Sequence, residues 1–337
     1  MLSYSALNDP YSVAVGDFNN DNHLDIVTAN TANHTVSVLL GYGNGSFATQ
    51  EIFSTGYNPY WVAVGDFNND NKLDLVTANY ANHTVSVLLG YGNGSFATQK
   101  IFSTGYNPYS VAVGDFNNDT KLDIVVANYG SHTLSILLGY GNGSFAPQKT
   151  FSTSYYPYSI TVGDFNNDSR LDIALAYGDS FYVVIFFGYG NATFTTQMGF
   201  LTGLRPRLVA FGDFNNDNRL DMVVPNYLSQ SVSVLLGYGN GTFETEKRFS
   251  TDLNPNSVAV GDFNNDNHLD IVTANNASQS VSVLLGYGNG TFAPRMMFST
   301  AFYSRSVAVG DFNGDSHLDI VVGNNYGVNV GVFLTMC

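Results

Sequence analysis

A nine-residue carboxylate motif returns seven times at a constant interval of 49 residues, and few folds can satisfy that constraint. The first copy reads Asp17-Phe18-Asn19-Asn20-Asp21-Asn22-His23-Leu24-Asp25, and the last begins at Asp311. A period near 50 residues with several strand signals per repeat belongs to propellers and solenoids. Single repeats of this kind cannot bury a core alone, so the 337 residues are read as one unit rather than two domains.

Residues 10–58 serve as the unit. Tyr11 to Phe18 alternates small residues with Val13 and Val15, which suits an innermost strand crowded against an axis. Leu24 to Ala29 is a short, nearly continuous apolar run, as expected of a strand covered on both faces. Val36 to Leu40 is a third, β-branched strand. Gly43-Asn44-Gly45 supplies positive-φ turn chemistry, and Phe47 to Phe53 returns as a fourth strand. That outer strand holds most charges outside the motifs, including Glu51, Lys100, Lys149 and Arg248, which protect a sheet edge. No helical periodicity appears, so the expected fold is all-β: a seven-bladed β-propeller of four-stranded blades. Blades are expected at about 10–56, 59–105, 108–154, 157–203, 206–252, 255–301 and 304–337. Residues 1–7 align with the end of a fourth strand and should complete the last blade, closing the ring.

The motif is a ligand set for a hard cation. Position 1 is Asp17, Asp66, Asp115, Asp164, Asp213, Asp262 or Asp311. Position 3 is Asn19, Asn68, Asn117, Asn166, Asn215, Asn264 or Asn313. Position 5 is Asp21, Asp70, Asp119, Asp168, Asp217, Asp266 or Asp315. Position 9 is Asp25, Asp74, Asp123, Asp172, Asp221, Asp270 or Asp319. Ca²⁺ takes six to eight oxygen ligands, and these four side chains with the position 7 carbonyl would supply them. Position 7 is His23, Lys72, Lys121, Arg170, Arg219, His268 or His317, always a basic side chain that can offset the charge of three Asp. Calcium, one ion per blade, is the expected cofactor. An EF-hand would need an acidic position 12 and flanking helices, whereas Thr28 and Val126 stand there inside strands. Zinc or a redox metal would need His or Cys clustered with the carboxylates.

The net charge of −15 follows from the same motif. Three Asp in each of seven copies account for 21 of the 27 acidic residues, and seven divalent ions would bring −15 to −1. No basic stripe favours nucleic acid. No segment approaches the ~20 apolar residues of a membrane span. The single cysteine, Cys337, rules out an intrachain disulfide. Residues 1–8 lack the pattern of a signal peptide, so a leader removed earlier or a piece of a longer chain is expected.

GDFNNDNHLDIVTAN followed by VSVLLGYGNGSF resembles the FG-GAP repeat, also called the VCBS repeat, of integrin-α-like seven-bladed propellers. The resemblance runs through essentially the whole chain. It implies a calcium cage between the first and second strands of a blade, opposite the usual ligand face. The family favours Gly at position 6; here Asn, Thr120 or Ser stands there. Asn tolerates positive φ and Thr does so poorly, which makes the third loop the weakest fit.

The cages use their carboxylates as ligands and hold no free acid–base partner, so no catalysis is expected. His34, His83 and His132 recur at one loop position and read as surface residues. The repeats vary most in the loops that precede the inner strand and in those that link the second and third strands. These are rich in Tyr and Asn, a mix of rigid anchors and adaptable hydrogen bonders. Tyr57, Tyr60, Tyr106, Tyr109, Tyr156 and Tyr158 are the expected ligand-facing residues. The reading is a monomeric, non-catalytic, extracellular calcium-binding module that takes a protein ligand on this face, as in adhesion. The alternatives are a lectin-like propeller taking a glycan and the propeller domain of a larger carbohydrate-active enzyme. Eleven Asn-x-Ser/Thr sequons, and weak calcium sites that resting cytosol would leave empty, favour the extracellular setting.

Overall fold

A computed structural model describes the chain apart from residues 7, 8, 196, 197, 301, 328, 336 and 337. Cys337 and Leu7 therefore lie outside the described residues. Seven separate four-stranded antiparallel sheets form the blades, and no described residue is helical. In blade 1 the strands are Pro10–Gly16, Asp25–Asn30, Thr35–Leu39 and Glu51–Ser54. The outer strand is shorter than expected, because Phe47 makes only an isolated bridge to Gly41. The last blade holds Tyr303–Gly310, Asp319–Asn325 and Asn329–Phe333, and Leu2–Ser5 supplies its fourth strand. Leu2 pairs with Val332 and Ser5 with Asn329. The ring closes through its amino-terminal strand, as expected.

The core lies between blades rather than within them. Seven apolar clusters occupy the seven junctions; Phe18, Val27 and Val36 of blade 1, for example, pack on Val62, Leu75 and Phe96 of blade 2. Each fully buried aliphatic or aromatic side chain contributes about 1.5–3 kcal/mol, and a lone blade would forfeit most of that. The motif aromatics act across these junctions. Phe18 meets Phe96 edge-on at 5.8 Å, and Phe312 meets Phe47 at 5.7 Å. The position 8 leucine also reaches its neighbour: a Cβ on Gly16 would lie 2.7 Å from Leu73 of the next blade. A larger residue at Gly16 would force the Leu73 methyl to shift.

Near the axis, inner-strand serines join successive blades. Ser12, Ser110, Ser257 and Ser306 accept the N–H groups of Val62, Ile160, Val307 and Val13. The last of these ties blade 7 to blade 1.

Candidate functional site: seven acidic loops and the opposite loop face

Each acidic loop leaves the inner strand and enters the second strand of its blade. Two of its residues take left-handed backbone. Position 6 does so in every copy, including Thr120 at φ 67, where a β-branched side chain is disfavoured. Position 4 does so too, as Asn20 at φ 59 and, in the last loop, Gly314 at φ 76. These two reversals curl the loop around the N–H of position 5. Asp17 Oδ1 and Asn19 Oδ1 both accept from Asp21 N, at 3.1 and 3.2 Å, and Asn19 Nδ2 donates to Asp21 Oδ2 at 2.8 Å. The side chains of positions 1, 3 and 5 therefore gather at one point. The basic residue at position 7 pairs with the position 5 carboxylate in several loops, as Lys72 with Asp70 at 3.6 Å and Lys121 with Asp119 at 3.5 Å.

Position 9 is tied to the backbone. Asp25 is fully buried, with Oδ2 accepting from Phe18 N and Oδ1 from Gly41 N, both at 2.7 Å. The same pair of bonds recurs at Asp74, Asp123, Asp172, Asp221 and Asp270, and Asp319 takes Phe312 N and Thr335 N. This residue braces the loop to the hairpin between the third and outer strands. Burial pushes its carboxyl up to about 6 in blades 1 to 5, the two N–H donors oppose that, and the carboxylates at positions 5 and 1 add to it. Among the described residues no three carboxylates, imidazoles or thiolates form a ready-made metal centre. The hairpin of the next blade clamps the loop from outside, with Gly94 N donating to Phe18 O at 2.9 Å. The hairpins of blades 1 to 6 also hold one exposed tyrosine each, from Tyr42 to Tyr287, a feature the Gly-rich turn pattern conceals.

The variable loops lie at the other end of the inner strands and bond to one another. Tyr80 N donates to Asn58 O at 2.9 Å and Tyr129 N to Asn107 O at 2.9 Å. The repeated histidines are part of this lattice. His34 and His83 accept from Asn58 N and Asn107 N through Nδ1, and their rings meet Tyr57 and Tyr106 edge-on.

The six tyrosines expected to face a ligand separate into two sets. Tyr57 and Tyr106 are 59% and 65% exposed, and Tyr156, beside His132, is 39% exposed. Tyr109 and Tyr158 are only 8% exposed, and Tyr60 is half-buried, stacked between Tyr11 and Tyr80. Tyr109 and Tyr158 are therefore corrected to interior residues, and their faces are already in use.

The cause is a register shift. In six blades the pairing of inner and second strands slips by one residue beside Tyr11, Tyr60, Tyr109, Tyr158, Asn256 or Arg305; Arg207 is their equivalent in blade 5. A bulge residue is re-aimed out of its sheet, and here all seven converge on the axis. The signal was available as the residue at one repeat position, usually after a proline, but its meaning depends on the bulge.

Comparison with known proteins fits this architecture. A model of the FG-GAP-like repeat matches residues 17–77, 66–126, 115–175, 226–273 and 262–322, well over half the chain. The chain belongs to the FG-GAP-like repeat family. No curated protein matches it. Among solved structures, BBS1N in complex with ARL6DN is similar at 11% identity and TM-score 0.69, covering 98% of this chain and 95% of that one. An Agrocybe aegerita lectin that recognises non-reducing terminal N-acetylglucosamine is similar at 18% identity and TM-score 0.65, covering 94% and 86%. Virginiamycin B lyase from Staphylococcus aureus is similar at 11% identity and TM-score 0.66, covering 98% and 97%. These likenesses establish the propeller fold shared by binding proteins and enzymes. No helix among the described residues is long and apolar enough to cross a membrane.

Proposed function

We propose that this FG-GAP propeller is a non-catalytic extracellular binding module in which calcium stabilises the acidic loops and the opposite face takes a protein ligand. The observation that carries the reading is the gathering of Asp17, Asn19 and Asp21 oxygens around one N–H, an arrangement of hard donors set in seven loops. Those three side chains and the His23 carbonyl would hold the ion. Asp25 retains a second lone pair on each oxygen and would stand behind it. A cation there would offset the mutual repulsion of three neighbouring carboxylates. BBS1N, seen with ARL6DN, is a protein-binding propeller, which supports a protein ligand.

Mass action gives the test its size. A site with calcium at a hundred times its dissociation constant gains about 2.7 kcal/mol, so several such sites dominate the stability of one domain. The melting temperature is expected to fall by tens of degrees in excess EDTA and to return with added calcium, with NaCl at matched ionic strength unable to replace it. An identical melt with and without chelator removes the calcium reading.

A glycan ligand is the second reading, and one groove favours it. Between blades 1 and 2 a cavity of about 420 Å³ on the loop face is lined by His34, Tyr57, Asn82, Gln99 and neighbours. It joins an aromatic ring to amide and hydroxyl donors. A glycan array separates the readings: binding lost in Tyr57→Ala selects the groove.

A further inference from the structure

The ring of bulge residues at the loop-face end of the axis has an uncompensated charge. Among the described residues, neither Arg207 nor Arg305 makes an ion pair, while nearby Arg205 has Asp179 at 3.5 Å. Arg305 is surrounded by hydroxyls. Its Nη2 donates to Tyr109 at 2.8 Å, to Tyr158 at 3.0 Å and to Tyr11. Arg305 also lies over the Tyr11 ring, at 3.7 Å, while Arg207 sits between two rings, its guanidinium carbon 4.0 Å from the ring centre of Tyr158 and 4.4 Å from that of Tyr227. The Nε atoms of both arginines and Asn256 Oδ1 are buried without hydrogen-bond partners. Two guanidinium groups stand here without a carboxylate partner among the described residues, which makes the local potential positive. Against the effect of burial, Arg305 and Arg207 lower the Tyr158 hydroxyl, while burial and Tyr158 raise those of Tyr11 and Tyr109.

A cation withdrawn from water without a counter-ion is costly, and stacking and hydroxyl contacts offset only part of that cost. An arriving anion would supply the remainder. The geometry also selects its shape. A guanidinium flanked by two rings presents its edge, and a planar two-oxygen group matches that edge in a bidentate pair. A tetrahedral dianion matches that planar edge less well.

We propose that the loop-face mouth of the axis is a carboxylate-binding site, with Arg207 as the direct partner and Arg305 as the supporting charge. This rests on the loop-face reading above for the ligand's location and adds a charge requirement to it. Nothing in it depends on calcium in the acidic loops.

The test uses the full chain with calcium present and titrates four probes at matched ionic strength: sodium acetate, N-acetylneuraminic acid, N-acetylglucosamine and inorganic phosphate. Calorimetry is expected to register both carboxylates at one site that Tyr57→Ala leaves intact, with no neutral-sugar binding at that site and phosphate binding weaker than theirs. Arg207→Gln should weaken the carboxylates roughly ten- to a hundredfold while the melting temperature barely moves. Arg207→Lys, which keeps the charge without the fork, should fall between Gln and the unaltered chain. Absence of carboxylate binding, tighter phosphate binding, or unchanged affinity in Arg207→Gln overturns the proposal. So does phenolate absorbance at neutral pH that disappears in Tyr158→Phe, because Tyr158 would then be the internal counter-ion. Each of these failures leaves the calcium dependence of the melt and binding through Tyr57 standing, so the broader reading is tested separately.

Discussion

A buried asparagine at the end of the second strand separates well-satisfied blades from frustrated ones. Its amide donates to hydroxyls on the third strand, as Asn30 does to Ser37 at 2.8 Å. Its carbonyl needs a donor, and Thr28, Thr77 and Thr273 supply one to Asn30, Asn79 and Asn275 at 2.9–3.0 Å. Val126, Val224 and Val322 take the threonine's place in blades 3, 5 and 7, and there the Oδ1 atoms of Asn128, Asn226 and Asn324 have no partner. Restoring the hydroxyl should help, because a neutral hydrogen bond is worth about 1 kcal/mol and an orphaned acceptor costs more. Val126→Thr and Val224→Thr are each expected to raise stability by about 1 kcal/mol in urea unfolding. A loss in both would mean that the methyl contacts of valine outweigh the bond. The repeat alignment makes the Thr–Val alternation visible, but that the Asn carbonyl faces it emerges only from the folded strand.

The acidic loop was the most legible element, and it was still read incompletely. The spacing located all seven loops and the convergence of positions 1, 3 and 5. It did not disclose that position 9 also accepts from two backbone N–H groups, because an Asp reads the same whatever its partners. What decides is burial, and Asp123 is fully buried while Asp119 lies at the surface with Lys121. The left-handed turn at position 4 was also missed, since Asn there is as consistent with a ligand as with positive φ. The two carboxylates should therefore respond oppositely to metal. In EDTA, Asp123→Ala orphans the N–H groups of Phe116 and Gly139 and should cost about 2 kcal/mol or more. Asp119→Ala under the same conditions should cost under about 1 kcal/mol, as surface substitutions do. With calcium present, Asp119→Ala should lose the stabilisation of one site. Urea unfolding in EDTA that ranks the two the other way removes the brace assignment.

At the scale of the ring, seven junctions are similar but one is weaker. In blades 1 to 6 the hairpin phenylalanine fills the junction with the preceding blade, as Phe96 and Phe145 do against Phe18 and Phe67. A cavity of about 450 Å³ stands at the junction of blades 6 and 7, lined by Phe263, Val283, Met296, Phe298, Ile320 and Phe333 among others. On its outer edge the same blade depends on the four residues Leu2–Ser5. Tyr4 does much of that binding, with its hydroxyl on Gly45 O at 2.8 Å and its ring edge-on to Phe47 at 5.0 Å. Closure by the two ends was legible from alignment alone, whereas the cavity depends on which side chains meet across a junction. Blade 7 should therefore open first. Amides of Asn329–Phe333 are expected to exchange faster than those of Thr35–Leu39, the equivalent strand of blade 1. Removing residues 1–6 should speed that exchange further and expose a strand edge able to pair with a second copy, so the truncated chain should aggregate on heating. Tyr4→Ala is the milder probe; it leaves the backbone pairing intact and should cost roughly 2 kcal/mol, less than the ~3–5 kcal/mol of a fully buried aromatic because Tyr4 is only partly buried. Uniform exchange around the ring, together with an unaltered melt after truncation, would mean that the inner-strand bonds, such as Val13 N to Ser306, hold the ring closed without the fourth strand.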